Sequence, residues 1–213
     1  MKEIIEKAKA FAYEIHQGDE SGHDWYHIER VHKNAVAIAQ DYPQANLLII
    51  ELSALLHDIA DVKMENHEQL SKRLLEFLQQ LSISSEDKEA ILQAIASVSY
   101  NGGNNTTPNT LEGKIVQDAD RLDAIGAIGI ARTFAYGGKK GQAIYDPSIQ
   151  VRNTLTEESY RNEKSTSINH FYEKLLLLKD LLHTPKAQQL AEEKQYIMEQ
   201  FLKHFFNEWN GTK

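Results

Sequence analysis

The sequence predicts an all-α protein, one domain of about eight helices, and three observations carry that expectation. Apolar residues recur at helical spacing in segment after segment, no stretch alternates with the period of a strand, and the breaks carry helix-capping residues. The 213 residues can enclose one substantial core, and no internal repeat, low-complexity run or composition shift marks a second domain. Residues 1–213 are therefore expected to fold together, with a core over about 20–130 and C-terminal helices over 166–209 packed on it.

Taken in order, the first helix is expected over 2–16, where Ile4, Ile5, Ala8, Phe11 and Ala12 share one stripe. QGDESGHD breaks it, and Asp24 is the N-cap of a second helix from Trp25 to about Gln40. Pro43 separates that helix from Leu47–Ala60, LLIIELSALLHDIA, which is apolar on almost every face and so should be enclosed by other helices. Residues 67–81 and 85–98 alternate apolar and charged positions at helical spacing, with Ser84 or Ser85 capping ahead of Glu86 and Asp87.

SYNGGNNTTPNT, 99–110, has the composition of an ordered loop or a lid. A long helical segment over 111–135 contains Gly126 and Gly129, which cost helix stability and allow close packing. Residues 137–165 are the least regular stretch, a crossover or a lid that offers Lys139, Lys140, Arg152, Arg161 and Lys164 to a polyphosphate. A helix over 166–182 pairs His170 with Lys174 at i,i+4, and Thr184-Pro185 opens the last helix, which ends at Trp209.

Composition excludes several chemistries. The absence of cysteine rules out disulfides, thiolate metal sites and cysteine nucleophiles together. A formal net charge of −8 argues against a general nucleic-acid binder, because phosphate-backbone affinity needs clustered Lys and Arg. A small phosphorylated substrate remains compatible, since a local basic pocket can outweigh a diffuse acidic surface. No apolar run approaches the length of a membrane span, and MKEIIEKAKAFAYEIHQ reads as an amphipathic helix and not a signal peptide. A cytoplasmic protein is expected, and a homodimer stays open.

The chemistry centres on His57 and Asp58, adjacent polar residues set into the apolar segment. A carboxylate buried alone there would cost several kcal/mol or more, so it must be paired, protonated or bound to a metal. Imidazole nitrogen with carboxylate oxygen suits a first-row divalent ion. Candidates for further ligands lie on either side. HDWYHIERVH places His23 and His27 at i,i+4, with Arg30 one turn beyond His27 and His32 pointing elsewhere, toward the surface. IVQDADRLDAIGAIG supplies Asp118, Asp120 and Asp123.

A lone His, an adjacent His-Asp pair and a distant Asp in this order resembles the HD-domain metal-dependent phosphohydrolases, with the motifs spanning about 20–130. The resemblance implies one divalent metal held by His27, His57, Asp58 and Asp120, Mn²⁺ first and Mg²⁺, Fe²⁺, Co²⁺ or Ni²⁺ as alternatives. Asp118 is the competing register for the last ligand; the two cannot both face one site, because two helical residues turn the side chain by about 200°. Family members commonly set the ligand Asp after a small residue, as Ala119-Asp120 does. The resemblance also makes Asp61, four residues after His57, a candidate general acid or base, with a solvated carboxylate as the plainer alternative. His23 is a catalytic or substrate-facing candidate, and Asp123 is either a support for the ligand or a surface ion pair. Arg30, Lys139, Lys140, His170 and Lys174 are candidate substrate contacts.

Two-metal members and oxygenases of that superfamily add histidines between the HD pair and the last Asp; only His67 lies there, which favours a single metal and hydrolysis. The chain is similar to a subgroup of small bacterial proteins that implies a nucleoside triphosphate pyrophosphohydrolase. A deoxynucleoside 5′-monophosphatase and a non-catalytic, metal-dependent nucleotide sensor are the rivals.

Overall fold

The computed structural model describes residues 1–18, 24–59, 66–98, 107–152 and 164–212, and among these it contains helices and no strand. His23 and Asp61 therefore lie outside the described residues, as do Arg161 and most of the expected 99–110 loop. No described helix is long and apolar enough to cross a membrane. The helices are α1 Lys2–His16, α2 Trp25–Ala39, α3 Leu47–Leu56, α4 His67–Gln80, α5 Ser85–Ala96, α6 Leu111–Asp123, α7 Gly126–Lys139, α8 Ser167–Glu173 and α9 Pro185–Trp209. They divide into two compact units, with the boundary falling after Asp120 on α6.

The first unit is organised around α3. Ile49, Ile50, Leu52, Ser53, Ala54, Leu55 and Leu56 are all buried, so the helix presents almost no face to water, and it packs against α1, α2 and α5. Leu52, Leu55 and Leu56 are each fully enclosed, and burying one such side chain contributes about 1.5–3 kcal/mol. Ile5, Ala8 and Ala12 of α1 join this core, and Phe11 stacks on Phe77 of α4 with centroids 4.2 Å apart. Local side chains set the helix starts as the sequence predicts: Asp24 caps α2 and Ser84 caps α5. Asn46 caps α3.

Two expectations change in this unit. The central helix stops at Leu56, and residues 57–59 form a turn, so His57 and Asp58 lie just past the helix end. His32 does not point to the surface: its Nε2 lies 2.8 Å from Glu51 Oε2 on α3, with both side chains largely shielded.

The second unit holds α7, α8, α9 and two short 3₁₀ turns, Leu175–Leu177 and Lys179–Leu181. The single segment expected over 111–135 is two helices. Gly126 adopts φ +76°, which interrupts the helix, and a Cβ on Gly129 would collide with the Ala124 carbonyl. The helix expected over 166–182 likewise ends at Glu173, because Lys174 takes φ −142°, ψ −62°. The start of α9 follows expectation, with Pro185 in its first turn and the Thr184 hydroxyl accepting from Ala187 N–H. Phe134, Phe171 and Phe201 form an aromatic cluster inside the unit, joining α7, α8 and α9.

Candidate metal centre

Each helix of the first unit that carries a candidate ligand holds it by a local feature of sequence. His27 is fully buried in the first turn of α2, and its backbone N–H is the group that the Asp24 cap accepts, at 2.8 Å. His57 and Asp58 follow the end of α3, where the buried leucines fix the preceding turn. His57 Nδ1 lies 2.9 Å from the Ala54 carbonyl oxygen. A carbonyl only accepts, so Nδ1 carries the proton and Nε2 presents its lone pair. Asp120 is near the end of α6, beyond the fully buried Ile115, Val116 and Ala119.

These side chains converge. His27 Nε2 stands 3.3 Å from Asp58 Oδ2 and 3.5 Å from Asp120 Oδ1. His57 Nε2 stands 3.4 Å from Asp58 Oδ1 and 3.8 Å from the same Asp120 oxygen. The imidazole rings meet edge to face, 5.3 Å between centroids. Asp120, with 27% of its side chain exposed, is the most open of the four, while both imidazoles are about 1% exposed.

The separations exceed the 2.7–3.2 Å of a direct N–H···O bond. They lie near the edges of a coordination shell: ligand distances of about 2.0–2.2 Å place neighbouring donor atoms roughly 2.8–3.6 Å apart, which covers three of the four separations and leaves His57 Nε2 to Asp120 slightly longer. His57 Nε2 is buried and accepts no hydrogen bond among the described residues, which leaves its lone pair for an ion. Two imidazoles and two carboxylates thus fit a divalent cation, and His27, His57 and Asp58 form the group of described residues whose donor atoms all lie within 4.8 Å of one another. Asp118 lies about 200° round α6 from Asp120 and is fully buried.

Arg30 is partly buried on α2, one turn beyond His27. Lys139 and Lys140 are exposed at the end of α7 in the second unit, where the Lys140 ammonium sits 5.9 Å over the Tyr136 ring. His170 lies on α8 and Lys174 at its C-terminus. Burial, with the neighbouring Lys174 charge added, pushes the His170 imidazole down to about 3, so it is neutral at physiological pH.

Asp123, expected as a ligand support or a surface pair, is instead 2% exposed and accepts from Arg132 at 2.8 Å. Arg152, read as a phosphate contact, is turned to Glu173. Its Nε and Nη2 donate to the two carboxylate oxygens at 2.9 and 2.6 Å, its backbone N–H donates at 3.1 Å, and Ser165 adds a bond at 3.0 Å. Burial raises the Glu173 carboxyl, but these bonds outweigh it and hold the group below its ordinary value. The partners are 21 residues apart and show no periodic relation; only the apolar surroundings of Glu173 in SINHFYEKLLLL hint that it needs one.

The HD domain family model matches residues 24–125, the span that carries all four converging side chains. YpgQ of Bacillus subtilis, an uncharacterized protein, is 36% identical over 208 residues, which cover 95% of this chain and 93% of YpgQ. A crystal structure of YpgQ in complex with ADP matches with a TM-score of 0.73 at 33% identity, over 96% of this chain and 97% of that one. A Lactobacillus plantarum protein of known structure matches over 99% of both chains with a TM-score of 0.90 and 38% identity. An HD-superfamily hydrolase from Bacillus thuringiensis matches over 98% of both chains with a TM-score of 0.72 and 46% identity.

Proposed function

This chain belongs to the HD domain family of metal-dependent phosphohydrolases, and from that premise we propose that it acts on nucleotides, cleaving a nucleoside triphosphate between its α and β phosphates. The observation that carries the hydrolytic part is the convergence of His27, His57, Asp58 and Asp120 on one point. The nucleotide part is supported by the ADP complex of Bacillus subtilis YpgQ, and the triphosphate by the likeness to small stand-alone members of the family and by the basic residues Lys139, Lys140, Arg161 and Lys164, more positive groups than a monophosphate dianion uses.

The four side chains would hold one divalent ion, with Mn²⁺ proposed because two nitrogens, two carboxylates and no thiolate suit a borderline-to-hard cation. When bound, such an ion supplies positive charge to a phosphate oxygen and makes a coordinated water more acidic. The protein's part is preorganisation. The Ala54 carbonyl holds the His57 ring in one tautomer, the Asp24 cap holds the backbone of His27, and burial keeps water from both imidazoles, each about 1% exposed. Asp61 is proposed to hold or deliver the reaction's proton, and Arg30 to bind phosphate.

Incubation with a panel of nucleotides and Mn²⁺, with identification of the products, tests this reading. Pyrophosphate and a nucleoside monophosphate are expected from triphosphates. Inorganic phosphate released from dAMP or dGMP, with triphosphates left intact, would replace it with a 5′-nucleotidase; tight binding without turnover would replace it with a sensor.

A further inference from the structure

Three of the four converging side chains come from α2 and from the end of α3, so the alignment of these helices decides whether the donor atoms meet. Between Leu47 and Leu56, Glu51 is the single charged residue, and it is largely shielded. A carboxylate in such a helix requires a partner. Its partner is His32 of α2, at 2.8 Å. Two residues further along α2, Asn34 Nδ2 donates a long bond, 3.4 Å, to the carbonyl of Ala119, the residue directly before Asp120. One short stretch of α2 thus reaches both other elements that supply ligands, by side-chain bonds to α3 and to α6. Hydrophobic contacts are non-directional and tolerate a small slide of one helix on another; a hydrogen bond between fixed atoms does not.

We propose that His32 and Glu51, aided by Asn34, are positioning residues that fix α2 against α3 and α6 so that His27, His57, Asp58 and Asp120 meet at one point. Neither His32 nor Glu51 touches the ion or the substrate. The proposal rests on the metal-site reading, and the test separates the two.

Mn²⁺ affinity is measured by competition with a chromophoric chelator, alongside the melting temperature in EDTA, for wild type and the double variant His32→Leu/Glu51→Leu. Replacing both partners by apolar side chains leaves no orphaned polar group, so the metal-free melting temperature should hold. Mn²⁺ affinity should fall by about 10-fold or more, the range found when groups that orient ligands are removed. Asn34→Ala should lower it by a smaller factor. If the double variant does not fold, Glu51→Gln, which keeps a hydrogen-bonding side chain, and Asn34→Ala decide: affinity near wild type in the first with a loss in the second supports the proposal, and wild-type affinity in both overturns it. A folded double variant that binds Mn²⁺ within twofold of wild type also overturns it. Wild type that binds no Mn²⁺ would overturn the metal site itself.

Discussion

Asp24 accepts the backbone N–H of His27 at 2.8 Å, so the residue that starts α2 also anchors a buried imidazole of the candidate metal centre. Helix capping and ligand placement are here one interaction. Asp24→Ala should cost about 1 kcal/mol of stability, the usual loss for an N-cap, and should also weaken Mn²⁺ binding. Ser84→Ala, which removes the cap of α5 at Asp87 N–H, should cost a similar stability and leave Mn²⁺ affinity unchanged. Thermal melts with chelator titrations of both variants check this; equal metal affinity in the two would separate the cap from the site.

Lys139 and Lys140 are exposed at the end of α7. If they attract the outer phosphates, their joint replacement by Ala should raise KM for triphosphates several-fold and leave kcat nearly unchanged, since uniform binding is what they would supply. Steady-state kinetics on a triphosphate and its monophosphate would show it. A fall in kcat at constant KM would place them in a different role.

Stability should have an acid limb whose upper part belongs to His170. Its folded value of about 3 lies below the ordinary 6.5, so the unfolded chain takes up a proton that the folded chain refuses. Stability is full above pH 6.5 and declines as pH falls toward 3. Glu173 is depressed from 4.5 by Arg152 and Ser165, so its contribution is present above 4.5 and is lost at still lower pH. Urea unfolding across pH 7 to 4 should show the decline, and His170→Gln should flatten the part above pH 5. An unchanged slope in that variant would move the effect elsewhere.

The local part of the fold was legible because short-range chemistry sets it. Asp24, Ser84 and Thr184-Pro185 each mark a helix start by a bond to backbone within three residues. Most helix ends were legible as well, α1 at His16 and the last helix at Trp209 among them, but two ends inside apolar runs were not, since composition alone cannot show them. LLIIELSALLHDIA looks helical throughout, yet α3 stops at Leu56 and the His57 ring takes the Ala54 carbonyl. The leucines after Lys174 look equally helical, yet the chain breaks there into 3₁₀ turns. The convergence of His27, His57, Asp58 and Asp120 was legible because a His-Asp pair in an apolar run demands compensation and the family resemblance pointed to the other two side chains. His32–Glu51 and Arg152–Glu173 were not, since their partners lie 19 and 21 residues apart and only the tertiary fold joins them.

Asp61 tests the division between binding and chemistry. Asp61→Asn should keep the metal while turnover falls by about 10² to 10⁴, the range for a lost general acid or base. Loss of the metal together with activity, read by elemental analysis beside a rate assay, would make Asp61 part of the ligand set.

The most direct test of the central claim is the metal content of protein purified without chelator, wild type against Asp58→Ala. About one divalent ion per wild-type chain, the number four donor groups around one point can hold, and almost none in the variant, is the predicted result. A wild type without metal, or a variant that retains it in full, would contradict the assignment of His27, His57, Asp58 and Asp120 as a metal centre.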